Sequence, residues 1–415
     1  VANVLRLAFK NLTRYKRRSL LTGLLIVLGV GAVIVFTGLA GSFKTMMIGQ
    51  ITDSMLSHLQ VHKKGYVASI DNLPLNLNLS PQAYQKLQAV LAKEPGVLAV
   101  APRLKLGAMF SNFETTTAVR LNGVDPEQEV RVVPDLRSRV SQRDPGLPLV
   151  NKGEILVPEV LARGLDLQPG QEVVVVATNR EGSVNGLSLK VGGIVAGLMG
   201  PGGRDGYMHI DDAAALLRMD TPEISEVAVR LMDFDRLDKV APSLGAALEP
   251  FKNPKGMPMF ELHTWADLAP FAHIARLIDL MTVFIKAILV AVVLISILNV
   301  MMMSVYERVR EIGTLMAIGT TPGKIAQLFL AEGFILGLVS SIAGAALGVG
   351  VIAALHATKV SFLFGMGQLI VLAPTIGPGQ VVAACLIVVA IAALASLHPA
   401  MKAARLEPVD ALRHV

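Results

Sequence analysis

Few residues in this 415-residue chain have the types and spacing that chemistry requires, and most candidates fail on closer reading. His58 and His62 stand four apart, which on a helix would make half a metal site. The stretch His58–Val61 reads as a strand instead, and no carboxylate or cysteine completes a ligand set, so no metal is expected. Gly319-Thr-Thr-Pro-Gly-Lys324-Ile325 approaches a phosphate loop. It is one residue short between its glycines, has no strand before it, and carries Ile325 where a hydroxyl should meet magnesium. Thr321-Pro322 fits the cap of a following helix better, so no cofactor is expected on this chain, ATP included. The glycine-rich stretch 200–206, with Arg204 and Asp205, does not lead from a strand into a helix and reads as a mobile turn. There is no Gly-x-Ser-x-Gly and no zincin motif. The single cysteine, Cys385, excludes an intrachain disulfide and a cysteine zinc cluster.

One charged cluster remains. Glu307, Arg308, Arg310 and Glu311 gather at the start of a segment in which Val309, Ile312, Leu315 and Met316 recur at helical spacing. Gly319 supplies the stop. A short amphipathic helix of this kind fits a groove on a partner protein, or packs on a bilayer surface.

The elements that must position this helix follow from composition. The chain is 53% hydrophobic and 17% charged, with a mean hydropathy of +0.56. Soluble domains carry about 25% charged residues, so part of this chain belongs in lipid. Aromatics are 5%, too few for a nucleic-acid reader built on stacking faces. The net charge of +6 matters less than where the charges sit.

Charge-free runs lie between Arg18 and Lys44, between Lys286 and Glu307, and between Glu332 and Lys359. A fourth occupies about 379–397, after Pro374 and Pro378. Each is long enough for roughly 30 Å of hydrocarbon. The first exceeds the apolar core of a signal peptide and reads as a retained span. The chain opens on Val1 instead of Met, as a trimmed start would.

Lysine and arginine set the direction. Arg6, Lys10, Arg14, Lys16, Arg17 and Arg18 precede the first span with no acidic residue among them. Arg308, Arg310 and Lys324 follow the second span, and Lys402, Arg405 and Arg413 follow the fourth. With four spans these segments share one side, so both termini are expected in the cytoplasm of a bacterial cell and the long insert in the periplasm. The first residues form an amphipathic helix, with Val4, Leu5, Ala8, Phe9, Leu12 and Tyr15 on one face. Its basic residues suit anionic headgroups as membrane-interface anchors, unless the helix simply extends the first span. No ionisable residue is expected deep in a span, which disfavours ion-coupled transport. Gly333 with Gly337, and Gly344 with Gly348, would let the third span pack closely on its neighbours.

Between the first two spans the composition becomes that of a soluble domain. Strands are predicted near Leu98–Phe110, Thr116–Val124, Val173–Thr178, Leu187–Val195 and Val227–Leu231. Helices are predicted from Ser80 through Leu91 and near Pro158–Gly164, Asp211–Met219 and Asp235–Leu248. The fold class is therefore a four-helix membrane protein with a large mixed α/β domain inserted after its first span. The expected segments are an amphipathic helix 1–18, spans 19–43, 272–306, 322–357 and 379–398, the insert 44–271, the charged helix 307–321, a periplasmic loop 358–378 and a tail 399–415.

Residues 299–319, NVMMMSVYERVREIGTLMAIG, resemble the loop of the FtsX-like permease superfamily, which includes macrolide-exporter (MacB-type) and lipoprotein-releasing (LolC/LolE-type) permeases. RRSLLTGLLIVLGVGAVI at 17–34 and SLHPAMKAARLEPVDALRHV at 396–415 agree, and the order of span, insert and three spans matches along essentially the whole chain. The resemblance implies an ABC transporter permease without enzyme activity of its own. It makes Glu307, Arg308, Arg310, Glu311, Ile312, Gly313, Leu315, Met316, Ala317, Ile318 and Gly319 a coupling helix seated on an ATPase dimer, which would hold ATP and magnesium. It also implies a second permease copy or paralogue. HLQVHKKGY at 58–66 and GYMHIDDAAALLRM at 206–219 resemble the lipoprotein-releasing branch more, implying an amphiphilic or lipoprotein substrate. In that branch a hairpin grips a periplasmic carrier, and the matching hairpin here, about Val173–Val191, is short. A membrane-fusion protein would be the receiving partner in the efflux branch. In other relatives the permease is a transducer that controls a periplasmic hydrolase.

Overall fold

A computed structural model of the chain describes residues 2–14, 16–144, 146–196, 205–254, 256–268, 271–358, 360–364, 368–372 and 374–407. In chain order the elements are α1 (Ala2–Arg14), α2 (Lys16–Ile51), β1 (Leu59–Lys63), α3 (Pro81–Leu91), β2 (Val97–Ser111), β3 (Thr116–Val124), α4 (Pro126–Val132), β4 (Val140–Ser141) and β5 (Glu154–Pro158). There follow α5 (Glu159–Gly164), β6 (Glu172–Thr178), β7 (Val184–Val195), β8 (Asp205–His209), α6 (Ile210–Leu216), β9 (Glu226–Leu231), α7 (Leu237–Leu248) and β10 (Phe260–Thr264). The chain ends with α8 (Phe271–Glu307), α9 (Val309–Ala317), α10 (Pro322–Thr358), β11 (Val360–Phe364), β12 (Gln368–Leu372) and α11 (Pro378–Ala404). Two compact units result, one of residues 1–45 with 275–415 and one of residues 46–274.

The first unit contains four helices long and apolar enough to cross a membrane, within α2, α8, α10 and α11. Its core gathers Ile26, Val30 and Ile34 of α2, Val293, Ile297 and Met301 of α8, Phe329 of α10 and Val388 and Ala392 of α11. Several hydroxyls along these helices bond back to carbonyls one turn earlier, as Thr37 does to Val33 and Ser296 to Val292, which satisfies them within the helix. At one end of the unit Lys44 pairs with Asp279 at 2.6 Å and Ser42 Oγ accepts the Thr375 amide. The helices overrun the charge-free stretches: α10 starts at Pro322 and α11 continues through Pro399 to Ala404. The expected loop 358–378 contains the antiparallel pair β11–β12.

The second unit is built on a ten-stranded mixed sheet in the order β10-β1-β9-β2-β3-β8-β5-β7-β4, with β6 pairing β2 and β7. The β3–β8 and β5–β7 pairs are parallel. Alternation decides which side of each strand is buried: in β2, Leu104, Leu106, Ala108 and Phe110 point into one core. That core also holds Val173 and Val175 of β6, Val191 of β7 and Ala213 of α6. A second core forms under α4 from Val124, Val132, Leu156 and Tyr207. Two helices begin as an X-Pro signal predicts: Ser80 Oγ accepts the Ala83 amide, and the Asp125 carboxylate accepts those of Glu127 and Gln128. β1 is the strand read at His58–Val61; β4, β5, β8, β10 and α4 are additions to the predicted elements, and Asp205 belongs to β8 instead of a turn. Residues 197–204, which cover most of the expected glycine-rich turn, lie outside the described residues.

His58 just before β1 and His62 within it are packed core groups. His58 is 4% exposed, and its Nδ1 accepts the Leu231 amide at 3.1 Å. Burial, followed by the charge of Arg230, pushes its pKa down to about 4. A depressed imidazole pKa means that the unfolded chain takes up the proton first. The stabilisation is complete above about pH 6.5 and is lost as pH falls towards about 4. Burial raises Asp205 to about 6, which acts in the opposite sense over the acidic part of that window, so the His58 effect is best read by difference. Trp265, the sole tryptophan, donates its amide to the His58 carbonyl and reports unfolding of this unit alone. His58→Asn keeps an acceptor and removes the titration. The wild type should lose about 2 kcal/mol relative to His58→Asn between pH 7 and pH 4.5, read from Trp265 fluorescence in denaturant. A gap that stays constant with pH would contradict the assignment.

Candidate partner-docking site

The charged cluster singled out from the sequence forms α9, nine residues between two long helices. Its end is set by Gly319 at φ +95, where a side chain would be strained. The Gly319 amide bonds to the Met316 carbonyl and the Thr320 amide to the Leu315 carbonyl, which closes the last turn. The apolar stripe is divided between two environments. Ile312 and Gly313 are buried in the helical core, and Val309 and Met316 are half-buried. Arg310, Thr314, Leu315, Ala317, Ile318 and Gly319 are exposed, Ile318 at 74%. Glu307 is exposed beside them. This leaves a surface with a basic group at one end and apolar side chains at the other.

Arg308 and Glu311 face the other way. Arg308 is 5% exposed; its Nη1 donates to both carboxylate oxygens of Glu332, at 2.9 and 3.2 Å, and its Nε to Glu311 at 3.1 Å. The guanidinium also lies 5.4 Å from the Phe329 ring centroid. Glu332 is 4% exposed and sits ten residues into α10, about 15 Å from its start. α10 has 37 residues, and the part after Glu332 alone is about 39 Å long, enough for roughly 30 Å of hydrocarbon, so Glu332 lies towards the end of the span that carries the basic segments. Glu332 had marked only the edge of a charge-free run, whereas α10 begins well before it. A charge in that position is tolerated because it is paired and hydrogen-bonded.

The N-terminal helix packs on α10. Ala8 is fully buried and Leu12 half-buried in the helical core, while Leu7 and Phe9 are exposed at 54% and 59%. Its expected apolar face is thus split, with Phe9 turned outward. Arg6, Lys10, Arg14, Lys16 and Arg17 are exposed; the side chains of Val4, Leu5, Tyr15 and Arg18 lie outside the described residues. Asn11 Nδ2 donates to Glu332 at 2.7 Å, and Arg14 approaches Glu311 at 3.7 Å. Lys402, near the end of α11, donates to the Tyr306 hydroxyl at the end of α8. The three basic segments therefore meet at one end of this unit.

The glycines of α10 are contact positions. A Cβ on Gly337 would lie 2.5 Å from Ala392 Cβ of α11, and one on Gly333 would collide with Ser396. On the opposite side a Cβ on Gly344 would lie 2.7 Å from Val30 Cβ and 2.8 Å from the Val27 carbonyl of α2. Gly348 would meet Ile34 at 2.8 Å.

The second unit holds its own buried charges. Arg103 pairs with Glu226 and Glu129, each at 2.7 Å, Lys105 pairs with Glu226 at 2.5 Å, and His62 Nε2 lies 3.3 Å from Glu226. Burial would raise Glu226, but Lys105, His62 and Arg103 outweigh it and hold its carboxyl well below the usual range. Burial keeps Glu129 above that range. These groups neutralise one another in a closed cluster. Among the described residues no three His, Cys, Asp or Glu side chains gather as metal ligands.

Comparison with known proteins gives two family matches, the FtsX-like permease C-terminal model over residues 283–408 and the MacB-like periplasmic core domain model over residues 19–247. The chain is 23% identical over 406 residues to the lipoprotein-releasing system transmembrane protein LolC of Neisseria meningitidis, covering 94% of this chain and 92% of that one. It is 25% identical over 423 residues to the ABC transporter permease YknZ of Bacillus subtilis, covering 99% and 98%. It is 32% identical over 212 residues to the pyoverdine export ATP-binding/permease protein PvdT of Pseudomonas savastanoi, covering 50% of this chain and 30% of that one.

The glycine geometry can be tested with Cys385, the sole cysteine, which is half-buried on α11. A thiol-reactive dye added during heating reports unfolding of the helical unit alone. Gly344→Val should cost about 1–3 kcal/mol and lower the transition by several degrees. Gly350→Val, where no atom lies within 4 Å of the added Cβ, should change it little. Equal shifts for the two would contradict close packing of α10 on α2.

Proposed function

The chain belongs to the FtsX-like, MacB-type family of ABC transporter permeases, and from that membership we propose that it couples ATP hydrolysis by a partner ATPase dimer to release of an amphiphile, foremost a lipoprotein, from the periplasmic side of the inner membrane. The observation that carries this reading is the exposed flank of α9, with Arg310, Leu315 and Ile318 presented beyond the ends of two long apolar helices. A helix anchored by its inner face at Ile312 and open on its outer face suits docking into a groove on a second protein. Clustering of the basic segments at that end supports a cytoplasmic position for both termini and a periplasmic one for residues 46–274.

ATP binding would draw two ATPases together, move the two docking helices, and pass that displacement through the spans to the periplasmic domains. Four spans are few for a pathway, which favours a second permease copy or paralogue. Full-length likeness to a lipoprotein-releasing protein supports a lipoprotein as substrate. The exposed apolar face near the start of α8, with Leu280, Val283 and Phe284, offers acyl chains of the outer leaflet a place to enter. A second reading is a permease of an efflux pump working with a membrane-fusion protein, favoured by the 32% identity to a pyoverdine exporter over half the chain.

Two measurements test the proposal. Arg310→Glu should weaken co-purification of the ATPase at least about tenfold while leaving the Cys385 transition unchanged, because the exposed flank carries no core packing. Unchanged co-purification would count against docking through α9. Photocrosslinkers at Leu280 and Phe284 in living cells should trap acylated proteins. Adducts with small molecules alone would favour efflux, and adducts only with a periplasmic hydrolase would point to a signalling transducer and overturn transport.

A further inference from the structure

We infer that Glu332 is a positioning residue for the docking helix, and that it binds α1 and α9 into one body that responds to the ATPase as a unit. The inference rests on the docking reading above and deepens it.

Glu332 is not on the docking surface. It is buried inside α10 and accepts from two elements at once: Asn11 of α1 at 2.7 Å, and Arg308, the residue on which α9 starts, at 2.9 and 3.2 Å. Arg308 continues the chain of contacts to Glu311 within α9, and Arg14 of α1 reaches Glu311 from outside. One carboxylate thereby bonds to both helices. A cavity of about 30 Å³ beside it is lined by Asn11, Thr22, Ser304 and Arg308 and also by Met301 and Leu336, so the carboxylate borders a small pocket of mixed polar and apolar character.

Energetics make this contact decisive for position. A buried, charge-assisted pair is short and directional, and removing one member strands the other's charge. The exposed Arg14–Glu311 pair at 3.7 Å contributes little by comparison. A push on α9 therefore reaches α1 through Glu332, and the amphipathic helix at the membrane interface belongs to the coupling apparatus as much as α9 does.

The test uses the full chain in lipid nanodiscs, alone and with its partner ATPase. Backbone hydrogen exchange is followed in residues 6–14 and 309–317 for the wild type, Glu332→Asp, Asn11→Leu and the double variant Arg308→Met with Glu332→Met. The double variant removes both buried charges, and Glu311, which loses Arg308, is half-exposed beside Arg14, so the Cys385 transition should stay close to that of the wild type. Its two segments should nevertheless exchange together, roughly tenfold faster than in the wild type. Asn11→Leu should free residues 6–14 alone. Both variants should lower ATP turnover of the complex about threefold or more with an unchanged KM for ATP, and Glu332→Asp should recover at least half of it. Wild-type exchange in the double variant, release of only one of its segments, or full turnover in Asn11→Leu would overturn the inference. Should the wild-type chain hold no ATPase, the docking reading fails by itself, and the exchange measurements still decide whether Glu332 joins the two helices.

Discussion

A carboxylate enclosed in an apolar helix bundle has to find a cation, and Glu332 finds Arg308. Hydrocarbon offers no hydrogen-bond partner, so each polar group in such a bundle must be satisfied by the protein itself. That requirement accounts for the long uninterrupted helices and for the hydroxyls folded back on their own carbonyls. It also accounts for the orientation of α9. With Arg308 drawn inward to Glu332, Ile312 follows into the core one turn later, and Arg310, Leu315 and Ile318 are left facing outward. The surface proposed to meet the ATPase is in this sense the reverse side of a buried ion pair.

The unit of residues 46–274 meets the same constraint differently. Its sheet is wide enough to bury charges between strands, and Arg103 and Glu226 are directly opposed partners on β2 and β9. Lys105 of β2, His62 of β1 and Glu129 of α4 complete the cluster, which ties the central strands to α4. Breaking such a network by removing one member leaves an uncompensated charge, so it specifies one packing even where an apolar replacement would be as stable. Substrate specificity is not visible in it. Every charge there is turned towards another charge of the same unit.

Much of this was legible in the sequence because lipid and water impose different periodicities. Runs without charge marked the four long helices, and Ser80-Pro81 marked the start of α3. The strands richest in branched residues, β2, β3, β6 and β9, were readable as well. What escaped detection was short or dependent on partners distant in sequence. β5 and β8 are five residues each and gain their place from the pairing of Leu156 with Tyr207. Glu332 looked like a boundary because a single carboxylate says nothing of the arginine 24 positions earlier that neutralises it. Asn11, polar in an amphipathic helix, carried no signal at all until α10 was set beside it. The short helix α9 was legible as an element, but the division of its stripe, Ile312 inward and Leu315 outward, depends on the inward pull on Arg308.

The central claim is that the outward flank of α9 contacts an ATPase. It is tested most directly by placing a photocrosslinking residue at Ile318, 74% exposed, and in parallel at Leu386, 64% exposed on α11, in membranes containing the partner ATPase. An ATPase adduct at 318 and none at 386 is the expected result. Adducts to lipid alone at both positions would contradict the docking role of α9 and leave it a helix resting on the bilayer.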